Sequence, residues 1–281
     1  MLVLPACLFV VAFLVYPIMY TFYVSLYDYS PLRSAVPHYV GLDNYRWLFG
    51  SDLVRQSLTV TLAFTVASVV VEMVVGLLVA ELLARFMLGA RSGFAISLSK
   101  ILSGVFILPF ATPAVAAAVA WKMLLHPQFS PVNAVLGRSV AWFTRYPLQS
   151  VVVIDAWKMT PLVLFLLLAA IMSIEPAQFE AAKMDGASSW QEFRYITLPS
   201  ILPVVAVTIA FRAVDAFTKI FDIVYMTTGG GPGNATEVFP LLIWKTAFSH
   251  LRFGQASALA VVAVLISALL AGILLVRRGA V

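Results

Sequence analysis

The sequence predicts an all-α membrane protein with six transmembrane helices, and three observations carry that expectation. Of its 281 residues, 62% are hydrophobic and 11% charged, with a mean hydropathy of +0.98, far more apolar than a soluble domain. The apolar residues gather in six runs, each near the roughly 20 residues that cross a bilayer as a helix. Between two of those runs lies a polar interruption, Ser173 to Pro199, which concentrates Glu175, Glu180, Lys183, Asp185, Glu192 and Arg194 and must sit outside the hydrocarbon.

The runs fall at about 2–27, 57–84, 101–125, 149–172, 200–227 and 255–276. The first lacks the basic start and cleavage signal of a secretory leader, its first lysine or arginine being Arg33, and is read as a retained helix. The third contains Pro109 and Pro113, which remove intrahelical hydrogen bonds and read as a kink. The first, third and fifth connecting segments, about 29–56, 126–148 and 228–254, share one face of the membrane. No hydrophilic segment is long enough to fold alone, so residues 1–281 form one transmembrane domain.

The polar loop at 173–199 reads as two short helices with a hinge. Pro176 suits a first helical turn, Ala177 to Met184 are mostly good helix formers, and Gly186 stands where a left-handed cap is easiest. Ser189 and Glu192 have the spacing of a capping box for the second helix. Charge does not orient the chain: Arg85, Arg91, Lys100, Lys183, Arg194, Arg277 and Arg278 on one side balance Arg33, Arg46, Arg55, Arg138, Arg145, Lys245 and Arg252 on the other.

Composition also excludes several functions. The net charge of +5 is dispersed, with no basic cluster beyond Arg277-Arg278, which argues against nucleic acid as a partner. A single cysteine, Cys7, allows no intrachain disulfide, and His38, His126 and His250 form no metal-binding motif. Gly229 to Gly233 is not followed by the lysine and hydroxyl of a phosphate-binding loop. No metal, cofactor or catalytic constellation is expected in this chain.

Ionisable residues inside spans are costly, about 2.5–3.5 kcal/mol each on insertion scales, and mark either ion pairs or a path. Glu72, Lys122, Asp155, Lys158, Arg212, Asp215, Lys219 and Asp222 are such residues. Arg212, Asp215, Lys219 and Asp222 follow one another at offsets that share a helical face with alternating sign. Two readings stand: a structural ladder of ion pairs holding two subunits together, or a polar lining for a hydroxylated solute.

Particular residues add a resemblance. Glu180-Ala181-Ala182, Asp185-Gly186-Ala187, Phe193, Ile196, Leu198 and Pro199 resemble the EAA loop of permease subunits of ABC importers, in the carbohydrate branch that includes maltose, trehalose and glycerol-3-phosphate permeases. Tyr39 to Tyr45, Ile107 to Phe110 with Pro113, Asp155 to Pro161, and Arg212 to Thr236 resemble other stretches of that family. The resemblance implies a type I ABC importer permease fold in a bacterial or archaeal cell membrane, with both termini and the loop in the cytoplasm. Glu180, Ala181, Ala182, Asp185, Gly186 and Ala187 would form the coupling helix that docks on an ATPase. Asp155, Trp157, Lys158, Asp215, Thr218, Lys219 and Asp222 would bind the solute. The Thr228-to-Pro232 stretch resembles the maltose F-type half, implying a heterodimer with a second permease subunit. Two cytoplasmic ATPase subunits would hold ATP and magnesium, and an extracytoplasmic binding protein would deliver a sugar or sugar derivative. Glycerol-3-phosphate or a glycerol phosphodiester is the alternative solute, and a secondary transporter the more distant alternative.

Overall fold

The computed structural model of the chain describes residues 4–33, 36–89 and 93–276. Arg91, Arg277 and Arg278 of the charge tally lie outside the described residues. The first span comprises α1 (Leu4–Val10), a π-helical turn (Val11–Val15) and α2 (Tyr16–Ser25). Two short strands of two residues each, β1 (Tyr27–Asp28) and β2 (His38–Tyr39), pair antiparallel and lead to α3 (Asp43–Gly50). The second span is α4 (Asp52–Gly89), a single helix of 38 residues, or about 57 Å at 1.5 Å per residue, longer than a bilayer core.

The third span departs from the continuous kinked helix the sequence suggested. It is two helices, α5 (Gly93–Ala111) and α6 (Ala114–Leu124), and the stretches on either side of Thr112-Pro113 meet at 100°. Pro109 stays within α5, whereas Pro113 becomes the extended residue before α6, and α5 ends just ahead of Thr112, whose α conformation the following proline disfavours. The carbonyls freed at the break find partners. Thr112 Oγ1 donates to Leu108 O at 3.0 Å, and Lys158 Nζ reaches Phe110 O at 3.4 Å, the local satisfaction that irregular backbone needs at membrane depth.

After α7 (Pro131–Leu136) and α8 (Trp142–Arg145), the fourth span is α9 (Pro147–Met172). The polar loop follows as α10 (Pro176–Met184), α11 (Ser189–Glu192) and a π-helical turn (Phe193–Thr197). The fifth span is α12 (Leu198–Lys219) with α13 (Phe221–Thr227), and α14 (Phe239–Trp244) precedes the last span, α15 (Phe253–Val276). Among the described residues five helices are long and apolar enough to span, six when the bent pair counts as one. Each of the six expected runs is helical over most of its described length.

Two contacts fix how the segments alternate between faces. Arg85, near the end of α4, bonds to Ser189 and Glu192 of the polar loop, which puts that end of α4 on the loop face. On the opposite face Gly254, at the start of α15, meets the first connecting segment. Its N–H donates to Tyr29 O at 3.3 Å, and a Cβ there would collide with the Tyr27 carbonyl oxygen. Asn44 braces the same turn by donating to Ser25 O and Tyr27 O at 2.8 and 2.9 Å.

α9 is the central helix, packed on α4, α5, α6, α12 and α13. Two apolar cores flank its middle. Phe64, Val151, Ile154, Ile220 and Val224 pack toward the opposite face, and Ala80, Leu83, Val163, Leu167 and Ile201 toward the loop face. Between these cores lies a group of charges.

Candidate functional site

Arg212 of α12 is completely buried at mid-span. Its Nε and Nη2 donate to the two oxygens of Glu72 on α4, at 2.6 and 2.8 Å, the bidentate geometry that suits a guanidinium. Nη2 also donates to Asp155 Oδ2 on α9 at 3.2 Å, and Nη1 to Asp215 Oδ2 one turn along α12. One side chain thus ties three helices together. Asp215 is shared: its Oδ1 accepts from Lys219 Nζ at 2.6 Å, and Lys219 is itself 74% exposed.

This arrangement divides the residues nominated for solute binding. Asp155 and Asp215 are buried and committed to Arg212, so the ion pairs of the charged stripe join helices within this chain, whereas the ladder expected from the sequence holds two subunits together. Trp157, Thr218, Lys219 and Asp222 are exposed and Lys158 is half-buried, the polar-lining reading. The stripe divides although the chain stays packed on the bundle through Phe217, Ile220 and Val224: Thr218, Lys219 and Asp222 are exposed beside these buried residues, and the helix is interrupted at Ile220.

The open members have unused hydrogen-bonding capacity. Among the described residues Asp222 makes no side-chain hydrogen bond or ion pair. Lys158 makes only the long bond to Phe110 O and stands over the Phe110 ring at 5.6 Å. Thr218 donates to Val214 O at 2.8 Å and keeps its acceptor lone pairs. Trp157 meets Trp121 of α6 edge-to-face, centroids 5.8 Å apart. The neighbouring Lys122 donates to Met226 O at 3.2 Å, so α6 bridges the open faces of α9 and α13. A hydroxylated ring can stack on such aromatic surface while Asp222 accepts, and Lys158 donates, hydrogen bonds.

The polar loop is the second site. Gly186 adopts φ +75° as expected, in a complete Schellman cap: Ala187 N–H donates to Ala182 O and Gly186 N–H to Lys183 O, at 2.9 and 3.1 Å. The capping box of α11 is one residue earlier than the sequence suggested, on Ser188 and Gln191 rather than Ser189 and Glu192. Glu192 is buried instead and accepts from Arg85 Nη1 at 3.0 Å. Arg85 also donates to Glu81 at 2.6 Å and to Ser189 O at 2.9 Å, clasping the loop to α4.

That clasp leaves much of the loop exposed. Glu180, Ala181, Asp185 and Gly186 are exposed, Ala182 and Ala187 half-buried, and Glu180 has no ion-pair partner among the described residues. Met184 is 89% and Trp190 68% exposed, so large apolar groups project beyond the bundle on the loop face. A cavity of about 820 Å³, lined by Glu81, Arg85, Phe179, Glu180, Lys183 and others, lies between loop and spans.

In the sequence Glu72 stands without an evident partner, Arg85 counts only as a charge of the loop side, and nothing marks Trp121 or the Phe110 carbonyl. For Glu72 a signal was present: a lone acid in one span and a lone arginine in another are both too costly unpaired, and each is the other's natural partner.

The comparisons with known proteins agree with this architecture. The trehalose/maltose transport system permease protein MalF of Thermococcus litoralis is 31% identical over 267 residues, 91% of this chain and 83% of that protein. The sulfoquinovosyl glycerol transport system permease protein SmoG of Agrobacterium fabrum is 30% identical over 269 residues, covering 93% and 84%. A chain in the crystal structure of a bacterial alginate ABC transporter in complex with alginate pentasaccharide-bound periplasmic protein superposes with a TM-score of 0.81 at 22% identity, covering 97% of this chain and 91% of that one, and so shares the fold. Spans broken and clasped as described, and a match of residues 85–278, make this chain a member of the family of binding-protein-dependent transport system inner membrane components, a multi-pass ABC permease.

Proposed function

We propose that the chain is one permease subunit of an ATP-driven importer whose solute is a sugar or sugar derivative delivered by an extracytoplasmic binding protein. The observation that carries this reading is the division of the mid-span polar residues. Arg212 and its three acids hold the bundle, while Trp157, Lys158, Thr218, Lys219 and Asp222 remain open to a solute. The relatives transport trehalose and maltose or sulfoquinovosyl glycerol by name, which supports a glycosidic solute here.

The complete importer pairs this chain with a second, different permease subunit and with two cytoplasmic ATPase subunits, which hold ATP and magnesium. No cofactor belongs to this chain. The exposed face of α10, with Glu180, Ala181, Ala182, Asp185, Gly186 and Ala187, docks on one ATPase. Met184 and Trp190 beside it supply apolar contact, and Glu180 receives a basic group. The loop face is then cytoplasmic.

A second reading, a glycerol-3-phosphate or glycerol phosphodiester permease, is favoured by Lys122, Lys158 and Lys219, which supply cations around the open face. Co-expression with the neighbouring transport genes, reconstitution, and competition of labelled trehalose and maltose uptake by glycerol 3-phosphate and phosphodiesters separate the two. ATP-independent uptake by the purified chain alone would refute both.

A further inference from the structure

A second large cavity, about 830 Å³, opens on the face opposite the polar loop, a volume in the range of small-molecule sites. Trp121, Trp142 and Tyr146 form aromatic walls, and Arg138, Arg145 and Gln149 bring polar ends to it. The walls are held in place. Buried Asn133 accepts from Trp142 Nε1 at 2.8 Å and donates to Pro127 O and Val140 O at 3.1 and 3.0 Å. Ser130 caps α7 by accepting from Asn133 N–H, and Gly137 ends it in the left-handed conformation.

The two arginines are unusual for their face. Arg33, Arg46 and Arg55 pair with Asp28, Asp43 and Asp52, Lys245 pairs with Glu237, and Arg252 reaches Gln255. Among the described residues Arg138 and Arg145 have no carboxylate partner, Arg145 resting only against the Tyr146 ring at 5.5 Å. Two guanidinium groups without an acid, beside preset aromatic walls, are complementary to a ligand that brings the acid.

The cavity also leads inward. Gln149, Val153 and Trp157 follow at successive turns of α9, a strip of about 12 Å at 1.5 Å per residue, and Trp121 both lines the cavity and touches Trp157. We propose that this cavity is an outer subsite for a molecule joining an acid group to a hydroxylated ring or glycerol body. Arg138 and Arg145 hold the carboxylate, phosphate or sulfonate, and the tryptophans cover the body. Its role as the first station of the path rests on the proposed function; its preference for an acid does not. A soluble sugar acid and the headgroup of an anionic phospholipid share this chemistry.

The test uses the assembled transporter, without binding protein, in phosphatidylcholine nanodiscs. Equilibrium binding of glycerol 3-phosphate is compared with glycerol, and of glucuronate with glucose, for wild type and for Arg138→Gln/Arg145→Gln. The wild type should favour each acid by about tenfold or more, and the double variant should lose the preference while remaining assembled. Discs doped with phosphatidylglycerol form the second arm. If only that lipid is retained on dilution, and only by the wild type, the acid site stands and its ligand is the lipid. No acid preference in either arm, or one that survives in the double variant, overturns the proposal. Loss of uptake in Trp157→Ala tests the path separately, so the two ideas fail independently.

Discussion

Replacing Arg212 with alanine strands Glu72, Asp155 and Asp215 at mid-span with Lys219 as their only remaining cation in the cluster. With every group ionised, the intact cluster carries two positive and three negative charges; the variant carries one and three. Breaking a buried pair by removing one partner costs about 3–5 kcal/mol, set against a total stability of about 5–15 kcal/mol. At about 2–4 °C per kcal/mol for a chain of this size, the melting temperature should fall by about 6–20 °C, and complex recovered by size exclusion should fall with it. Glu72→Gln is the informative companion. The amide keeps one acceptor for the guanidinium and brings the cluster to two charges of each sign, so its loss should be confined to about 1–2 kcal/mol. In Arg212→Ala/Glu72→Ala one of the stranded acids is gone, and the double variant should be more stable than the sum of the single effects predicts. An Arg212→Ala complex that melts within about 2 °C of wild type, or strictly additive single and double variants, would refute the clamp.

Other expectations concern the open residues, the loop and the opposite face. Trp157→Ala should reduce solute uptake with assembly intact, whereas Asp215→Ala should lose complex on size exclusion because it removes an acid from Arg212 and the partner of Lys219. Normal uptake in Trp157→Ala removes that residue from the path. Gly186→Val should lower solute-stimulated ATP hydrolysis: nothing lies within 4 Å of the added Cβ, so the cost of about 1 kcal/mol or more comes from the positive φ alone. Glu180→Ala should release ATPase subunits from detergent-solubilised complex, and full retention in both loop variants would sink the docking assignment. Gly254→Ala should destabilise the chain because its methyl group meets the rigid Tyr27 backbone; an unchanged melting temperature would contradict that packing.

Features specified by neighbouring residues were legible in the sequence; those that depend on distant partners were not. Gly186 could be read because a glycine directly after a run of helix formers has one common use. The capping box could not, because Ser188 with Gln191 and Ser189 with Glu192 are overlapping frames with the same signature. The choice between them is made by Arg85, which takes Glu192 from a hundred positions away. Proline shows the same limit. Pro113 ends a helix, while Pro161 and Pro203 remain inside α9 and α12, and only the surroundings distinguish them. The stripe from Arg212 to Asp222 was legible as a stripe, yet its division into clamp and open face required Glu72, 140 positions earlier in the chain.

The length of α4 acquires a mechanical meaning from where it is fastened. Near the opposite face Thr61 Oγ1 accepts from Phe239 N–H at 2.7 Å, at mid-depth Glu72 holds Arg212, and at the loop face Arg85 clasps Glu192. These fastenings span 24 residues of unbroken helix, about 36 Å. A push on the polar loop therefore arrives at mid-depth and at the far face as displacement of one strut, with little taken up by bending along the way. The compliance needed to admit and release a solute falls to the interrupted helices beside it, at Thr112-Pro113 and at Ile220, and these interruptions flank the open residues Lys158, Lys219 and Asp222.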